Sequence, residues 1–185
     1  MRYCRDGKLY TFEEPQRTLE ERVQRLEDIR AIEECMYSYV RYADCFDAEG
    51  MASAFTQDAC LFWGTGDIPN AQGRDCIYRH LLSLTGSMST QEHFCGGFQM
   101  KFEADGTVTG DCCMHSWQLP KDENQQELFC YGHYEFSAVR EDSEWRFAQL
   151  RLVLNGKMQG GKLCKGGGQM SRGWPPEFSE QIKYK

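Results

Sequence analysis

The chain of 185 residues is long enough to bury one hydrophobic core, and it is most simply one domain with additional terminal segments. Its net charge of −7 and sequence pI of about 5.2 argue against binding to nucleic acid, because a phosphate backbone would be repelled. No apolar run approaches the length of a membrane span and residues 1–5 open no signal segment, so we expect a cytoplasmic protein without a membrane partner.

Ten cysteines are scattered along the chain, and their spacing fits neither a zinc site nor a disulfide framework. No CxxC pair occurs, and without an export signal we expect buried free thiols that pack as small hydrophobic side chains. Cys112 and Cys113 would point to opposite faces of a strand, which suits packing better than a shared metal. The sequence also carries no phosphate-binding glycine loop, so we expect neither a metal nor an organic cofactor.

Residues 19–55 organise the chain, and they begin with a long amphipathic helix. Thr18 can cap its start, and Glu21 three residues later would complete a capping box. Apolar residues at the helical period predict one buried stripe: Leu19, Val23, Leu26, Ile29, Ile32, Met36, Val40 and Ala43. Phenols and carboxylates crowd together near the helix end: Tyr37, Tyr39, Tyr42, Asp44 and Asp47. Such side chains at the inner end of a buried helix indicate a ligand site.

Shorter elements follow the long helix. Asp47 can cap a second, short helix, and residues 56–58 are predicted to form a turn before a buried strand at residues 59–63. A loop with Gly, Pro and Asn then precedes a helix at residues 74–84. From residue 91 onward the apolar period becomes two, and hairpin turns separate strands predicted at residues 107–119, 128–140 and 144–154.

Helices first and antiparallel strands afterwards predict an α+β fold, in which a curved sheet wraps round the long helix and encloses a cavity. We divide the chain into an N-terminal arm at residues 1–18, the α+β barrel domain at residues 19–155, and a C-terminal tail at residues 156–185. The tail is rich in glycine and shows no pattern typical of a helix or strand. We expect it to be flexible, or to order on a neighbouring subunit.

Several short motifs occur in a characteristic order: Ile29-Arg30-Ala31-Ile32, Tyr39-Val40-Arg41-Tyr42-Ala43-Asp44, Gly73-Arg74-Asp75-Cys76-Ile77, Gly132-His133-Tyr134-Glu135 and Trp145-Arg146-Phe147. In this order they resemble the SnoaL-like branch of the nuclear-transport-factor-like superfamily. The resemblance covers most of the chain and implies a cone-shaped α+β barrel. Within the branch, the chain is most similar to dehydratase and dehydrohalogenase members of the bile-acid 7α-dehydratase and scytalone dehydratase types.

The resemblance also implies a set of site residues. Those family members place an Asp near the end of the first long helix beside a His from a strand, and several add a Tyr. Asp44, His93 and Tyr39 stand at the matching positions, and we expect them to be catalytic. We expect Tyr42 and Ser116 to bind substrate. Ser116 stands where the bile-acid enzyme has a further carboxylate, and an Arg of that family falls near Leu154 here, so the sequence departs from the pattern at both positions.

The three catalytic candidates fit an elimination beside a carbonyl. A neutral imidazole is well suited to take the α-proton, and an ionised Asp44 would fix the tautomer of His93 and stabilise its protonated form. Tyr39 could donate to the developing oxyanion. In an ideal helix Tyr39 and Asp44 lie about 140° apart around the axis, so they share a pocket only if the helix bends or ends near Ala43.

Three functions remain open at this level. The first is a cofactor-independent lyase acting on an apolar ring-containing alcohol or ketone, such as a steroid, bile acid or polyketide. The second is an isomerase or cyclase that uses the same base and donor in the same pocket. The third is a non-catalytic small-molecule-binding module, since the fold hosts many of those. We also expect a homo-oligomer, and the resemblance suggests a trimer.

Other polar residues are weaker candidates. Only one of His115 and Ser116 can face the cavity because they are neighbours on one strand, and the resemblance favours Ser116. We expect His133 to face the outside of the sheet and His80 to be solvated on its helix. Arg151 could line the cavity or a subunit interface.

Overall fold

The structure is a computed structural model that describes residues 17–64 and 66–165. Residues 1–16 of the predicted arm (residues 1–18) and residues 166–185 of the predicted tail (residues 156–185) lie outside these residues. The helices are α1 (Leu19–Asp44), α2 (Ala48–Ser53) and α3 (Arg74–Thr85). The strands are β1 (Phe55–Trp63), β2 (Ala71–Gln72), β3 (Met88–Phe102), β4 (Val108–Pro120), β5 (Leu128–Glu141), β6 (Glu144–Gln159) and β7 (Lys162–Lys165).

All seven strands belong to one curved sheet, and the predicted α+β fold is confirmed. The strand order is β2-β1-β6-β5-β4-β3, with β7 added beside the second half of β6. Every pairing is antiparallel except that of β1 with β6, which is parallel. The sheet is not closed, since β2 and β3 stand at opposite ends of the strand order. The edge strand β3 packs against α1, and this contact positions the site described below.

Helix α1 begins as predicted but is buried along only half of its length. The capping box is confirmed, because Glu21 N donates to Thr18 Oγ1 (3.2 Å) and Thr18 N donates to the Glu21 side chain (2.8 Å). The apolar stripe is buried only from Ile32 to Ala43. The predicted burial of Leu19, Val23 and Leu26 is wrong, since these side chains are exposed. The helix is about 39 Å long, and its first half contacts the sheet through polar side chains: Arg25 lies over the Phe102 ring and Asp28 accepts from Trp145 Nε1.

Strand β1 begins four residues earlier than predicted. Residues 56–58 are not a turn but part of this strand, and its pairing register with β6 shifts between Phe55 and Cys60. Polar groups from other elements stabilise the irregular segment. The Gln57 backbone N–H donates to Glu141 Oε1 (3.0 Å), and Arg74 Nε donates to the Phe55 carbonyl oxygen (2.7 Å). Because the register shifts here, these polar residues lie outside regular pairing, and their composition is therefore like that of a turn.

The beginning of the predicted tail is also wrong, because residues 156–165 belong to the sheet. Strand β6 continues to Gln159, past a register shift near Gly156, and β7 returns beside it. Gly160 and Gly161 connect the two strands, and both have positive φ (56° and 73°). Two adjacent residues of this conformation form a tight hairpin turn, for which glycine has no steric cost. The glycines that suggested flexibility are therefore a turn signal.

The hydrophobic core lies between α1 and the inner face of the sheet. Its fully buried side chains include Ile32 and Met36 from α1, Phe55 from β1, and Phe147 and Leu150 from β6. Each large apolar side chain removed from water contributes about 1.5–3 kcal/mol to folding. Within residues 17–64 and 66–165, no helix has both the length and the hydrophobicity that crossing a bilayer would require.

Candidate active site

Asp44 is the last residue of α1 and meets the middle of β3. The helix brings Asp44 there because Val40, one turn earlier, and Ala43, the preceding residue, are buried. Gln91 of β3 donates its side-chain amide to the Ala43 carbonyl oxygen, which also accepts the Phe46 backbone N–H just beyond the helix. The Gln91 bond fixes the end of α1 against β3 beside His93.

The Asp44 carboxylate contacts His93 at two points. His93 Nδ1 lies 2.7 Å from Asp44 Oδ1, and the backbone N–H of His93 donates to Asp44 Oδ2 at 3.1 Å. The His93 side chain is 10% exposed and that of Asp44 is 25% exposed. A carboxylate that receives both a ring N–H and the backbone N–H of the same residue fixes the position and the orientation of the imidazole.

The contact also determines which nitrogen of His93 can act as a base. An ionised carboxylate only accepts hydrogen bonds, so the proton of a neutral His93 is on Nδ1. His93 Nε2 then carries the lone pair, and it forms no hydrogen bond with any of the described residues. This is the tautomer that a general base requires.

Asp44 and His93 line a cleft of about 400 Å³ between α1 and the edge strand β3. Its other walls come from the same two elements: Tyr37, Val40 and Arg41 of α1, and Phe94, Cys95 and Gly96 of β3. The cleft therefore combines aromatic and apolar walls with one acid–imidazole pair, the usual composition of a small-molecule site. Tyr37 was part of the phenol-rich stretch in the sequence but was not assigned a role.

Tyr39 lies in the core and not in the wall of this cleft. Helix α1 remains regular through Asp44, so the two side chains keep the angular separation of an ideal helix. The Tyr39 ring packs edge-on against Phe55 and Tyr134, with ring centroids 5.7 and 6.0 Å apart. Burial raises the pKa of the Tyr39 phenol, so this side chain stays protonated at any physiological pH.

Tyr134 is a second buried phenol, packed against Tyr39, and the sequence analysis gave it no role. Burial raises its pKa well above the ordinary value, and the negative charge of Asp44 contributes in the same direction. The signal in the sequence was the alternation of Tyr134 with Phe136, which marks the inner face of β5.

Ser116 lies on the core side of the sheet and Tyr42 lies away from the pair. Ser116 is buried and is the direct cross-strand partner of His93, so both side chains project from the same face. Tyr42 is 38% exposed and lines a separate groove with Ser53 and Ala54. Two residues along a helix correspond to about 200°, which turns Tyr42 away from Asp44. We therefore do not include Tyr42 in the candidate site.

The remaining histidines lie elsewhere. His115 is exposed on the outer face of β4 and packs against Tyr131. His133 approaches Glu135 at 3.5 Å on the outer face of β5. The prediction that His80 is solvated is wrong, because its ring packs against Trp63 with centroids 4.9 Å apart. Burial lowers the pKa of His80, and its buried Nε2 has no hydrogen-bond partner among residues 17–64 and 66–165.

Eight cysteines whose side chains the structure describes are free thiols: Cys35, Cys45, Cys60, Cys76, Cys95, Cys112, Cys113 and Cys130. Cys112 is buried and Cys113 is exposed, as alternation along β4 predicts. In this part of the chain, no group of three His, Cys, Asp or Glu side chains gathers where it could hold a metal ion.

Comparisons with known proteins agree with this architecture. The family model for the SnoaL-like domain matches residues 24–151. A proposed scytalone dehydratase from Novosphingobium aromaticivorans has a similar structure, with 18% identity, a TM-score of 0.71, and coverage of 82% of this chain and 99% of that one. The hexachlorocyclohexane dehydrochlorinase LinA-type3 from Novosphingobium barchaimii is also similar, with 17% identity, a TM-score of 0.66, and coverage of 75% and 93%. No curated protein sequence matches the chain.

Proposed function

The chain belongs to the family of SnoaL-like domains, and from that premise we propose that it is a cofactor-independent lyase of the dehydratase type. Its substrate is an apolar ring-containing hydroxy or keto compound, such as a steroid, a bile acid or a polyketide. The observation that carries the proposal is the double contact of Asp44 with His93, which leaves His93 Nε2 free to act as a base. The names of both structural neighbours denote eliminations, of water in one case and of hydrogen chloride in the other.

In the proposed reaction, His93 Nε2 takes a proton from the carbon next to the substrate carbonyl. The electrons of that C–H bond form the new double bond while the C–O bond to the hydroxyl group breaks. The proton then passes from the imidazolium to the departing oxygen, which leaves as water, and His93 returns to its starting form. Asp44 stabilises the imidazolium between the two transfers. General base catalysis of this kind contributes about 10²–10⁴-fold.

We assign the stabilisation of the developing oxyanion to Tyr39. The raised pKa of this buried phenol supports the role, because a phenol that stays protonated can donate a hydrogen bond throughout the reaction. The role requires the substrate ring to reach the core side of α1, where Tyr39 and Tyr134 lie. We also propose that Ser116 bonds the substrate hydroxyl group, and its position directly across from His93 in the pairing register supports this role.

One observation favours a second candidate, an isomerase that works through an enolate. The cross-strand partner of His93 is Ser116, a side chain that cannot serve as a second carboxylic acid. A single base that removes a proton from one carbon and returns it to another is sufficient for isomerisation. The product then has the mass of the substrate, whereas dehydration loses one water.

The test uses a panel of cyclic β-hydroxyketones of steroid and polyketide type, with product mass as the readout. We expect the wild-type protein to remove water from at least one compound and His93→Ala to lose about 10²–10⁴-fold in rate. His115→Ala, which truncates an exposed histidine on the neighbouring strand, should match the wild type. Turnover without loss of water supports the isomerase. A His93→Ala variant as active as the wild type contradicts both enzymes, and ligand binding without any turnover leaves the binding module.

The proposal includes a homo-oligomer, and by resemblance a trimer. The outer face of the sheet carries aromatic side chains that a monomer leaves in water. Phe94 is 68% exposed and Tyr131 is 38% exposed, and both flank His115 in the pairing register. Exposed aromatic groups that lie together mark an interaction surface more often than isolated ones do.

A further inference from the structure

One row of side chains crosses the inner face of four neighbouring strands. The pairing register aligns His93 of β3 with Ser116 of β4, Ser116 with Cys130 of β5, and Cys130 with Lys157 of β6. Direct cross-strand partners project from the same face of a sheet. Ser116 and Cys130 are buried, so this face is the core side. The row therefore begins at the proposed base and ends at a lysine.

Lys157 is a half-buried cation in an apolar part of this face. Its cross-strand partner Cys130 and the inner-facing Leu128 and Leu154 pack against the core. Lys157 forms no ion pair with a carboxylate among the described residues. Burial raises the pKa of the Cys130 thiol, while a hydrogen bond with Ser116 and the positive charge of Lys157 oppose the rise. The pairing register makes Lys157 the direct cross-strand neighbour of this thiol.

From this juxtaposition we propose that Lys157 binds an acidic group of the substrate, at the opposite end of the row from His93. A half-buried ammonium group that has no anionic neighbour in the described part of the chain is stabilised when a ligand supplies one. Three interstrand spacings separate His93 and Lys157, about 14 Å between Cα atoms along the sheet, and both side chains project inward. The substrate is accordingly an amphipathic ring compound whose carboxylate or sulfate lies on the order of 10 Å from the carbon that His93 deprotonates.

This inference rests on the proposed function in one respect only, the assignment of His93 as the end of the row at which the substrate reacts. Lys157 was absent from the sequence analysis because it lies beyond the register shift of β6, in the segment predicted to be tail. In the sequence, Lys157 is an isolated lysine at the start of a glycine-rich segment. This pattern does not show toward which face of a sheet its side chain projects. Only the pairing with β5 shows that it projects toward the core side.

The test compares two fluorescent probes that differ by one acidic group, anilinonaphthalene sulfonate and the neutral phenyl-naphthylamine. We expect the wild type to bind the sulfonate at least ~10-fold more tightly than the neutral probe, and Lys157→Met to remove this preference while it keeps its affinity for the neutral probe. Lys157→Arg should retain the preference. Lys101→Met, which removes an exposed lysine of β3, is the matched control and should bind as the wild type does.

A Lys157→Met variant that keeps the sulfonate preference overturns the inference, and so does a Lys101→Met variant that loses it to the same extent. If the methionine variant does not fold, as judged by circular dichroism, Lys157→Gln takes its place with the same expectation. The measurement needs no turnover, so it can fail while His93 proves catalytic, and it can succeed while the proposed reaction proves wrong. The two claims are therefore tested separately.

Discussion

The two oxygens of Asp44 bind two different groups of His93, the ring nitrogen Nδ1 at 2.7 Å and the backbone N–H at 3.1 Å. The two residues are 49 positions apart in the chain and come from a helix and an edge strand. The backbone bond fixes β3 against the end of α1, and the ring bond fixes the imidazole. One carboxylate thus has a structural role and an electrostatic role, and a substitution at Asp44 should separate them.

Asp44→Asn should fold but lose turnover. An asparagine amide can still accept the backbone N–H of His93, yet it also offers an N–H to the ring and no longer stabilises an imidazolium. We expect the turnover rate to fall about 10²–10⁴-fold, with a far-ultraviolet circular dichroism spectrum like that of the wild type. A variant that keeps more than half of the wild-type rate would show that His93 does not depend on Asp44.

Tyr39→Phe should reduce turnover with little change in stability. The substitution removes only the hydroxyl group from a ring that packs between Phe55 and Tyr134. Loss of one oxyanion donor costs about 10²–10³-fold in rate. The matched control is Tyr42→Phe on the same helix, outside the candidate site, and it should leave the rate unchanged.

The raised pKa of Tyr39 also predicts how the turnover rate responds to alkaline pH. The phenol remains protonated above its ordinary pKa of about 10, so ionisation of Tyr39 should cause no loss of rate below that pH. A Tyr42→Phe variant as slow as Tyr39→Phe, or a wild-type rate that falls near pH 9 and is restored by Tyr39→Phe, would contradict the donor role.

His80 should make the fold less stable in mild acid. Burial against Trp63 lowers its pKa, so between the folded pKa and the ordinary value of about 6.5 the unfolded chain binds more protons than the native one. The stabilisation is complete above pH 6.5 and declines as the pH falls below it. Urea unfolding at pH 8 and pH 5 should show a smaller loss of stability for His80→Phe than for the wild type. An equal loss in both proteins would refute the prediction.

Tyr131→Asp should dissociate the expected homotrimer. Tyr131 packs against His115 on the exposed outer face, and a charge there would be buried without a partner in an assembled interface. Sedimentation velocity should give a trimer for the wild type and a smaller species for the variant, while both keep the same secondary structure. A wild-type protein that sediments only as a monomer, even at concentrations above the micromolar range, would exclude the assembly.

Local patterns in the sequence predicted local features of the fold well. The capping box at Thr18, the helix cap at Asp47 and the alternation of Cys112 and Cys113 depend on neighbouring residues, and the structure contains each of them. The strands from residue 107 onward follow a period of two because one face of the sheet is buried. The choice of Asp44 and His93 came from the family resemblance, and their contact is visible only in the structure.

The missed features depend on contacts between distant parts of the chain. An apolar stripe does not reveal which of its side chains another element will cover, so the exposure of Leu19 and Leu26 could not be predicted. His80 was predicted to be solvated because its neighbour on the helix is Arg79, but its environment is set by Trp63 on another element. Gly160 and Gly161 fit a flexible tail as well as a hairpin turn, and only the partner strand β7 distinguishes the two.

The most direct test of the proposed base is the tautomer of His93, which nitrogen-15 NMR of the imidazole measures without any knowledge of the substrate. The account predicts that neutral His93 in the wild type carries its proton on Nδ1, bonded to Asp44, with Nε2 unprotonated, and that Asp44→Asn shifts the proton toward Nε2. A neutral wild-type His93 that carries its proton on Nε2 would contradict the account, because the lone pair of that imidazole lies on Nδ1, which faces Asp44 and not the substrate.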